Sequence, residues 1–235
     1  MLIEKTPNNW RDLENLTAKL FVEIGCKPEV KKIIETARGK IEIDVYIKDF
    51  SYAPPLLLIC ECKYWSKRIP KSVVHSFRTV ADDCGANRGY IISKSGFQSG
   101  AIEASNNSNI VLVDWIQFQN IFYVRWLQVM TENLYEYADV IFDYMDILAD
   151  RMNKVNWTRE NENRYGILMR QSSIYVLANR WAHTQSHKII FPLKIQNPTS
   201  KTSYTVVLNN YREYFDLALS AAPLLISDWQ EFFSR

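Results

Sequence analysis

The chain has 235 residues, enough for one generous domain or two small ones, because domains commonly run to about 100–150 residues. Apolar residues make up 47% and charged residues 23%, an ordinary globular composition that excludes a disordered or low-complexity scaffold. Net charge is +2, so no overall basic excess announces a nucleic-acid binder, and any such case must be local.

Residues 1–114 carry 16 basic and 14 acidic side chains, and the remainder carries 12 of each. The apolar runs, such as Leu56 to Cys60, fall far short of the ~20 residues of a membrane span. The opening MLIEKTPNNW has no apolar stretch of a secretory signal, so a cytoplasmic protein with no membrane association is expected. Cys26, Cys60, Cys62 and Cys84 lack paired CxxC spacing, and Cys60 and Cys62 on one strand cannot form a normal disulfide with each other. They read as reduced, buried thiols. His183 and His187 are spaced i,i+4 without an intervening Glu, a weak metal signature that reads as incidental.

In chain order, Asn9 caps a predicted helix from Trp10, with Leu13, Leu16, Thr17, Leu20 and Ile24 at helical spacing and Gly25 at its C-terminal stop. Glu29–Thr36 and Ile41–Ile47 are β-rich runs joined through Arg38-Gly39, a predicted hairpin. Within the second run, Ile41, Ile43, Val45 and Ile47 alternate with Glu42, Asp44 and Tyr46, so two carboxylates share the face opposite the apolar one. After Pro54-Pro55, LLLICECK reads as a central strand that turns abruptly charged at its end. A helix over Ser72–Cys84, a strand over Gly89–Ser93, a turn at Lys94-Ser95-Gly96-Phe97, a helix to Ser105 and a strand over Ile110–Val113 follow. Strands alternating with helices require crossovers, hence an α/β fold with a mixed sheet flanked by helices.

Beyond Asp114 the pattern becomes mainly helical. Leu134, Tyr137, Ala138, Ile141, Met145, Leu148 and Met152 step along one face, and Glu132, Glu136, Asp139, Asp143, Asp146 and Asp150 along another, most simply a solvated one. A second helix over Arg164–Trp181, short strands near 189–195 and 204–208, and a final helix interrupted at Pro223 complete a C-terminal domain, residues 119–235.

The chemistry concentrates at Glu61-Cys62-Lys63. Alternation sets Glu61 and Lys63 on one face, and a neighbouring strand can bring Asp44 to the same edge. Two converging carboxylates make an oxygen site for a hard divalent ion such as Mg²⁺, which polarises a phosphoryl oxygen and activates water, while Lys63 supplies a point charge. The plain alternative is a salt-bridged cluster at a sheet rim, since a bare D…ExK occurs by chance in many chains. Context raises the signal, because charge at the end of a strongly apolar strand is costly unless it binds something. Lys63, Lys67, Arg68, Lys71 and Arg78 follow with Tyr64 and Trp65 interleaved, and Lys94 lies in the next turn, a local basic patch suited to a nucleic-acid backbone. His75 reads as a helix-surface residue.

These segments resemble the PD-(D/E)XK nuclease superfamily, and within it the Mrr-like type IV restriction endonuclease domain. LENLTAKLFVEIGCK resembles its first helix, GKIEIDVYI its aspartate strand, LLLICECKYWSK its ExK strand, and GANRGYIISKSGFQSGAIEAS its strand, turn and helix. The resemblance covers roughly residues 10–118 and implies a restriction-endonuclease-like catalytic domain over residues 1–118. It also implies that Asp44, Glu61 and Lys63 are the catalytic triplet, that the Cys62 carbonyl is a further metal ligand, and that Glu14 is an accessory acid. Family members commonly have glycines before the aspartate, whereas here Glu42 stands beside the metal position as another candidate ligand. Many have Gln where this chain has Glu61, so this copy is the more complete metal site. The implied activity is Mg²⁺- or Mn²⁺-dependent hydrolysis of phosphodiester bonds, with DNA favoured, as part of prokaryotic nucleic-acid defence. A non-catalytic nucleic-acid-binding or assembly module is the rival expectation. The C-terminal domain, rich in apolar and aromatic residues, is expected to mediate homo-oligomerisation or docking of a protein partner.

Overall fold

The helix announced by Asn9 is α1, Trp10–Glu23, and the Asn9 side chain accepts the Asp12 backbone N–H at 2.9 Å. It stops at Ile24, and Gly25 follows at φ +81°, the left-handed turn that glycine makes without steric cost. The computed structural model describes residues 2–36, 38–184, 189–200 and 204–234, with the side chains of 177–184 left aside. His187, and the side chains of His183 and Trp181, lie outside the described residues.

Strands β1 (Lys27–Thr36) and β2 (Gly39–Asp49) form the expected antiparallel hairpin, each longer than its apolar run alone suggests. β3 (Leu56–Lys63) pairs antiparallel with β2. Helix α2 (Lys71–Asp83) returns the chain to β4 (Arg88–Ser93), parallel to β3, and α3 (Ser99–Ser105) leads to β5 (Ile110–Val113), parallel to β4. The sheet order is β1-β2-β3-β4-β5, a mixed α/β sheet flanked by helices.

Two clusters hold this sheet. Val74, Phe77 and Ala81 of α2 and Ala101 of α3 bury with Ile59, Ile91 and Ile110 of the strands. Separately, Phe21 and Tyr90 pack edge-to-face with Phe118 and Phe122, at centroid distances of 5.0–5.8 Å. Phe118 and Phe122 belong to α4 (Trp115–Met145), which starts directly after β5, where the sequence pattern turns helical. Its start is a reciprocal cap: Asp114 Oδ1 accepts the Gln117 N–H at 2.8 Å and Gln117 Oε1 accepts the Asp114 N–H at 2.9 Å.

The chain divides into the units Met1–Leu127 and Gln128–Arg235, with α4 running through the division. In the second unit α4 ends at Met145, short of the Met152 that the apolar stepping suggested. Asp146 accounts for the stop, because its side chain accepts the Leu148 N–H at 2.9 Å and so offers the backbone a turn in place of the next helical bond. Leu148 is consequently 87% exposed, and Asp150 begins a short 3₁₀ turn instead of extending an acidic stripe.

Helix α5 (Arg159–Thr184), the antiparallel strands β6 (Leu193–Gln196) and β7 (Thr205–Leu208), and α6 (Tyr211–Ser234) complete the mostly helical part. Contrary to the expected interruption, α6 continues through Pro223. Burial of Ala218, Ala221, Ala222, Leu225 and Trp229 on both sides of the proline outweighs the one helical bond it removes. Tyr175 donates to the Ala218 carbonyl at 2.7 Å, Tyr214 to the Ile174 carbonyl at 3.0 Å and Trp229 to Ser172 Oγ at 3.0 Å, so α5 and α6 are joined by satisfied polar contacts as well as apolar ones. Among the described residues no helix is long and apolar enough to cross a membrane.

Candidate active site

The β2–β3 ladder sets the geometry. Its last pair is Val45 with Cys60, and one further step of the same register sets Asp44 opposite Glu61. There the ladder gives way to a side-chain contact, with Asp44 Oδ2 accepting the Cys62 backbone N–H at 2.8 Å. Glu14 projects from α1 and is only 3% exposed, an unusual position for a carboxylate in the core-facing stripe of a helix.

Lys31 of β1 gathers these acids. Its Nζ lies 2.8 Å from Glu14 Oε1, 2.5 Å from Asp44 Oδ1 and 3.4 Å from Glu42 Oε1, and 5.2 Å from the centre of the Trp10 ring. Glu61 pairs instead with Lys63, whose Nζ also faces the Trp65 ring at 5.3 Å. Of the expected residues, Glu14 and Asp44 thus meet at one ammonium, Glu61 and Lys63 form an ion pair, and the mostly exposed Glu42 lies at the margin.

Electrostatics follow from this crowding. Burial pushes the Glu61 carboxyl up, the Asp44 charge pushes it further, and Lys63 opposes both. Burial likewise raises Glu14, Lys31 counters it, and the Asp44 charge adds to the rise. For Lys31, burial alone would lower the ammonium, but hydrogen bonds to Asp44 and Glu14 outweigh it and keep it charged. The Cys62 thiol is buried and pushed well above its ordinary value, and its sulfur lies 3.9 Å from Thr17 Oγ1, so only the backbone of Cys62 is chemically available. The four cysteines are free.

The basic segment after β3 is pinned to the turn after β4. The Lys94 N–H donates to the Lys63 carbonyl at 3.1 Å, the Ile69 N–H to the Gly96 carbonyl at 3.0 Å, and Ser95 Oγ to the Trp65 carbonyl at 2.6 Å. Gly96, at φ +75°, makes the turn that permits this. Lys67 and Arg68 are exposed on the pinned loop and Lys71 is the first residue of α2, while Lys94, in the turn before α3, lies over the Tyr64 ring at 4.2 Å. Arg78 is directed to the Ala104 carbonyl at 3.4 Å, and His75 is exposed on α2. A cleft of about 340 Å³ adjoins Lys94, lined by Tyr64, Ser93, Asp114 and Trp115; Asp44, Glu61 and Lys63 stand outside it.

Among the described residues no three His, Cys, Asp or Glu side chains stand arranged around a common metal position. The donor chemistry nevertheless suits a hard divalent ion: Asp44, Glu61 and Glu14 offer carboxylate oxygens whose mutual repulsion calls for positive charge. In an extended strand a residue's N–H and C=O share an edge, so the Cys62 carbonyl belongs to the Asp44 side. Sequence reasoning missed Lys31. Nothing in EVKKIIET separates it from Lys32, and its role depends on α1 and β2 arriving beside it.

No curated protein matches the chain. A crystal structure described as that of a protein of unknown function, AF1548, is similar at 19% identity and a TM-score of 0.41, over 46% of this chain. The matched part spans 59% of that protein's length. Residues 7–122 match the Mrr_cat family, described as restriction endonuclease, and the N-terminal half of this chain is a domain of that family.

Proposed function

We propose that the protein is a metal-dependent endonuclease that hydrolyses phosphodiester bonds, with DNA the favoured substrate, and that it serves prokaryotic nucleic-acid defence in the cytoplasm. The observation that carries the reading is the position of Asp44 across from Glu61-Cys62-Lys63 at the exit of β3, within a restriction endonuclease domain. Asp44, Glu61 and the Cys62 carbonyl would hold Mg²⁺ or Mn²⁺, with Glu14 as an accessory acid behind Asp44. When bound, the ion supplies Lewis-acid polarisation of the phosphoryl group and a more acidic water. Lys63 orients that water and offers its charge to the negative oxygens that develop in the transition state. The water oxygen bonds to phosphorus, one P–O ester bond breaks, and the products are a phosphate monoester and a hydroxyl. Lys67, Arg68, Lys71 and Lys94 contact the phosphates of the backbone and position it without reading sequence.

The C-terminal half, residues 119–235 as delimited in the sequence, is assigned to self-association or docking of a protein partner. One such active site cuts one strand, and two subunits related by a twofold axis make a duplex break.

One observation favours the rival reading of a non-catalytic nucleic-acid-binding or assembly module: Glu14, Asp44 and Glu61 each have a lysine partner. Incubating the full chain with single-stranded and duplex DNA and RNA, in Mg²⁺, Mn²⁺ or EDTA, separates the two. Metal-dependent cleavage lost in Asp44→Asn is the expected result, and binding without cleavage in any metal leaves the rival.

A further inference from the structure

Lys31 is unusual in two independent respects. It lies inside a ten-residue strand with its backbone at φ +54°, the left-handed region that a non-glycine residue enters at a cost of roughly 1–2 kcal/mol. The register does not shift there, since Val30 pairs with Val45 and Lys32 with Ile43, so no extra residue is being accommodated. The distortion instead accompanies a side chain aimed at acids from two other elements, Glu14 on α1 and Asp44 on β2. Both carboxylates are nearly enclosed, at 4% and 14% exposure, while the Lys31 side chain keeps 34%. The Lys31 side chain is therefore the most solvent-exposed of the three.

We propose that Lys31 is a tethered cation that a divalent ion must displace from Asp44 and Glu14, and that it thereby sets the metal affinity of the site. The inference rests on the nuclease reading. Two buried carboxylates this close need positive charge in every state, and Lys31 provides it whenever the ion does not. Because Asp44 Oδ2 already accepts the Cys62 N–H, a divalent ion at about 2.0–2.1 Å would take Oδ1, where the Lys31 ammonium at 2.5 Å repels it. Apparent metal affinity is accordingly reduced by the fraction of molecules in which Lys31 still holds Asp44. Lys31 is a positioning residue, acting through the carboxylates rather than on substrate.

The test is Mn²⁺ binding to the full chain without nucleic acid, followed by loss of the free-ion electron paramagnetic resonance signal. Lys31→Gly removes the ammonium and accepts φ +54° without strain, and Lys31→Asn removes it with a residue that also tolerates this region. Circular dichroism establishes that each remains folded. Both should bind Mn²⁺ at least tenfold more tightly than wild type, equivalent to about 1.4 kcal/mol, whereas Lys31→Arg should stay near wild type. Unchanged or weaker binding in folded Lys31→Gly overturns the proposal, because a merely structural lysine would weaken the site on removal. Asp44→Asn separates the two layers. If it loses Mn²⁺ while Lys31→Gly gains nothing, the Lys31 role alone falls. If it binds like wild type, or wild type binds none, the metal reading falls and the Lys31 role with it.

Discussion

The Asp44 carboxylate, one residue before the stretch of β2 paired with β3, accepts the backbone N–H of Cys62, two residues past the stretch of β3 paired with β2, at 2.8 Å. Where two strands part, a side chain takes over the task of the backbone and leaves its second oxygen for a cation. Asparagine can keep the same bond through its carbonyl oxygen while losing the charge, which makes the following substitution informative.

Asp44→Asn and Glu61→Gln should each lower cleavage by a hundredfold or more, on the order expected when transition-state charge stabilisation is removed, while folding and nucleic-acid affinity are retained. Lys63→Ala should remove turnover with Mn²⁺ still bound. Gel assays of nucleic-acid cleavage, with Mn²⁺ titrations alongside, check both; equal activity in wild type and Asp44→Asn would sink the nuclease reading.

Replacing Lys67, Arg68 and Lys71 together by Ala should weaken binding to all sequences alike. On duplex DNA the slope of log affinity against log salt should become shallower by about 0.9 for each phosphate that these side chains no longer neutralise. A loss confined to one sequence or methylation state would show base readout instead.

Asp49 is buried at 2% exposure and bonded by Arg125, with one hydrogen bond at 2.9 Å, while Ser51 donates through its N–H and hydroxyl. The Arg125 hydrogen bond comes first among the causes that hold its carboxyl down at about 2, against an ordinary 3.8. A depressed folded value contributes stability above the unfolded one. The contribution, about 2 kcal/mol, is thus complete above pH 4 and drains away as pH falls through about 2. Arg125→Met should cost about 3 kcal/mol by leaving that charge buried and unpaired, and chemical denaturation at pH 7 measures it. No change in the midpoint would contradict the pairing.

Gly89 opens the close approach between β4 and its neighbours. A Cβ there would lie 2.7 Å from Ile110 Cδ1 and 2.8 Å from Phe77 Cε1. Gly89→Ala should destabilise by about 1–3 kcal/mol, read as a lower denaturant midpoint at constant slope. An unchanged midpoint would mean that Ile110 and Phe77 move aside freely.

The first 118 residues were legible because their signals are local. Asn9, Gly25 and Arg38-Gly39 punctuate the elements, and LLLICECK is bounded as a strand by its own composition. The turn to a helical pattern beyond Asp114 was legible as well, and α4 buries Phe118, Phe122, Trp126 and Met130 along one stripe. Asp146 and Pro223 misled in opposite directions. A helical apolar step cannot reveal that a side chain will capture the Leu148 N–H, and a proline cannot reveal how much burial surrounds it. Lys31 was illegible for a deeper reason: its partners are 17 and 13 residues away in the chain, and nothing local marks its left-handed backbone.

The same left-handed residue bears on β1 as the outermost strand of the sheet. Ten residues of extended backbone at a rim offer a template to any other unpaired strand, the usual route to aggregates. The left-handed residue at Lys31 interrupts that template, and Pro28 removes one of its backbone donors. Crowded growth conditions would therefore penalise a chain whose β1 ran straight, even if every interaction within its own fold were kept.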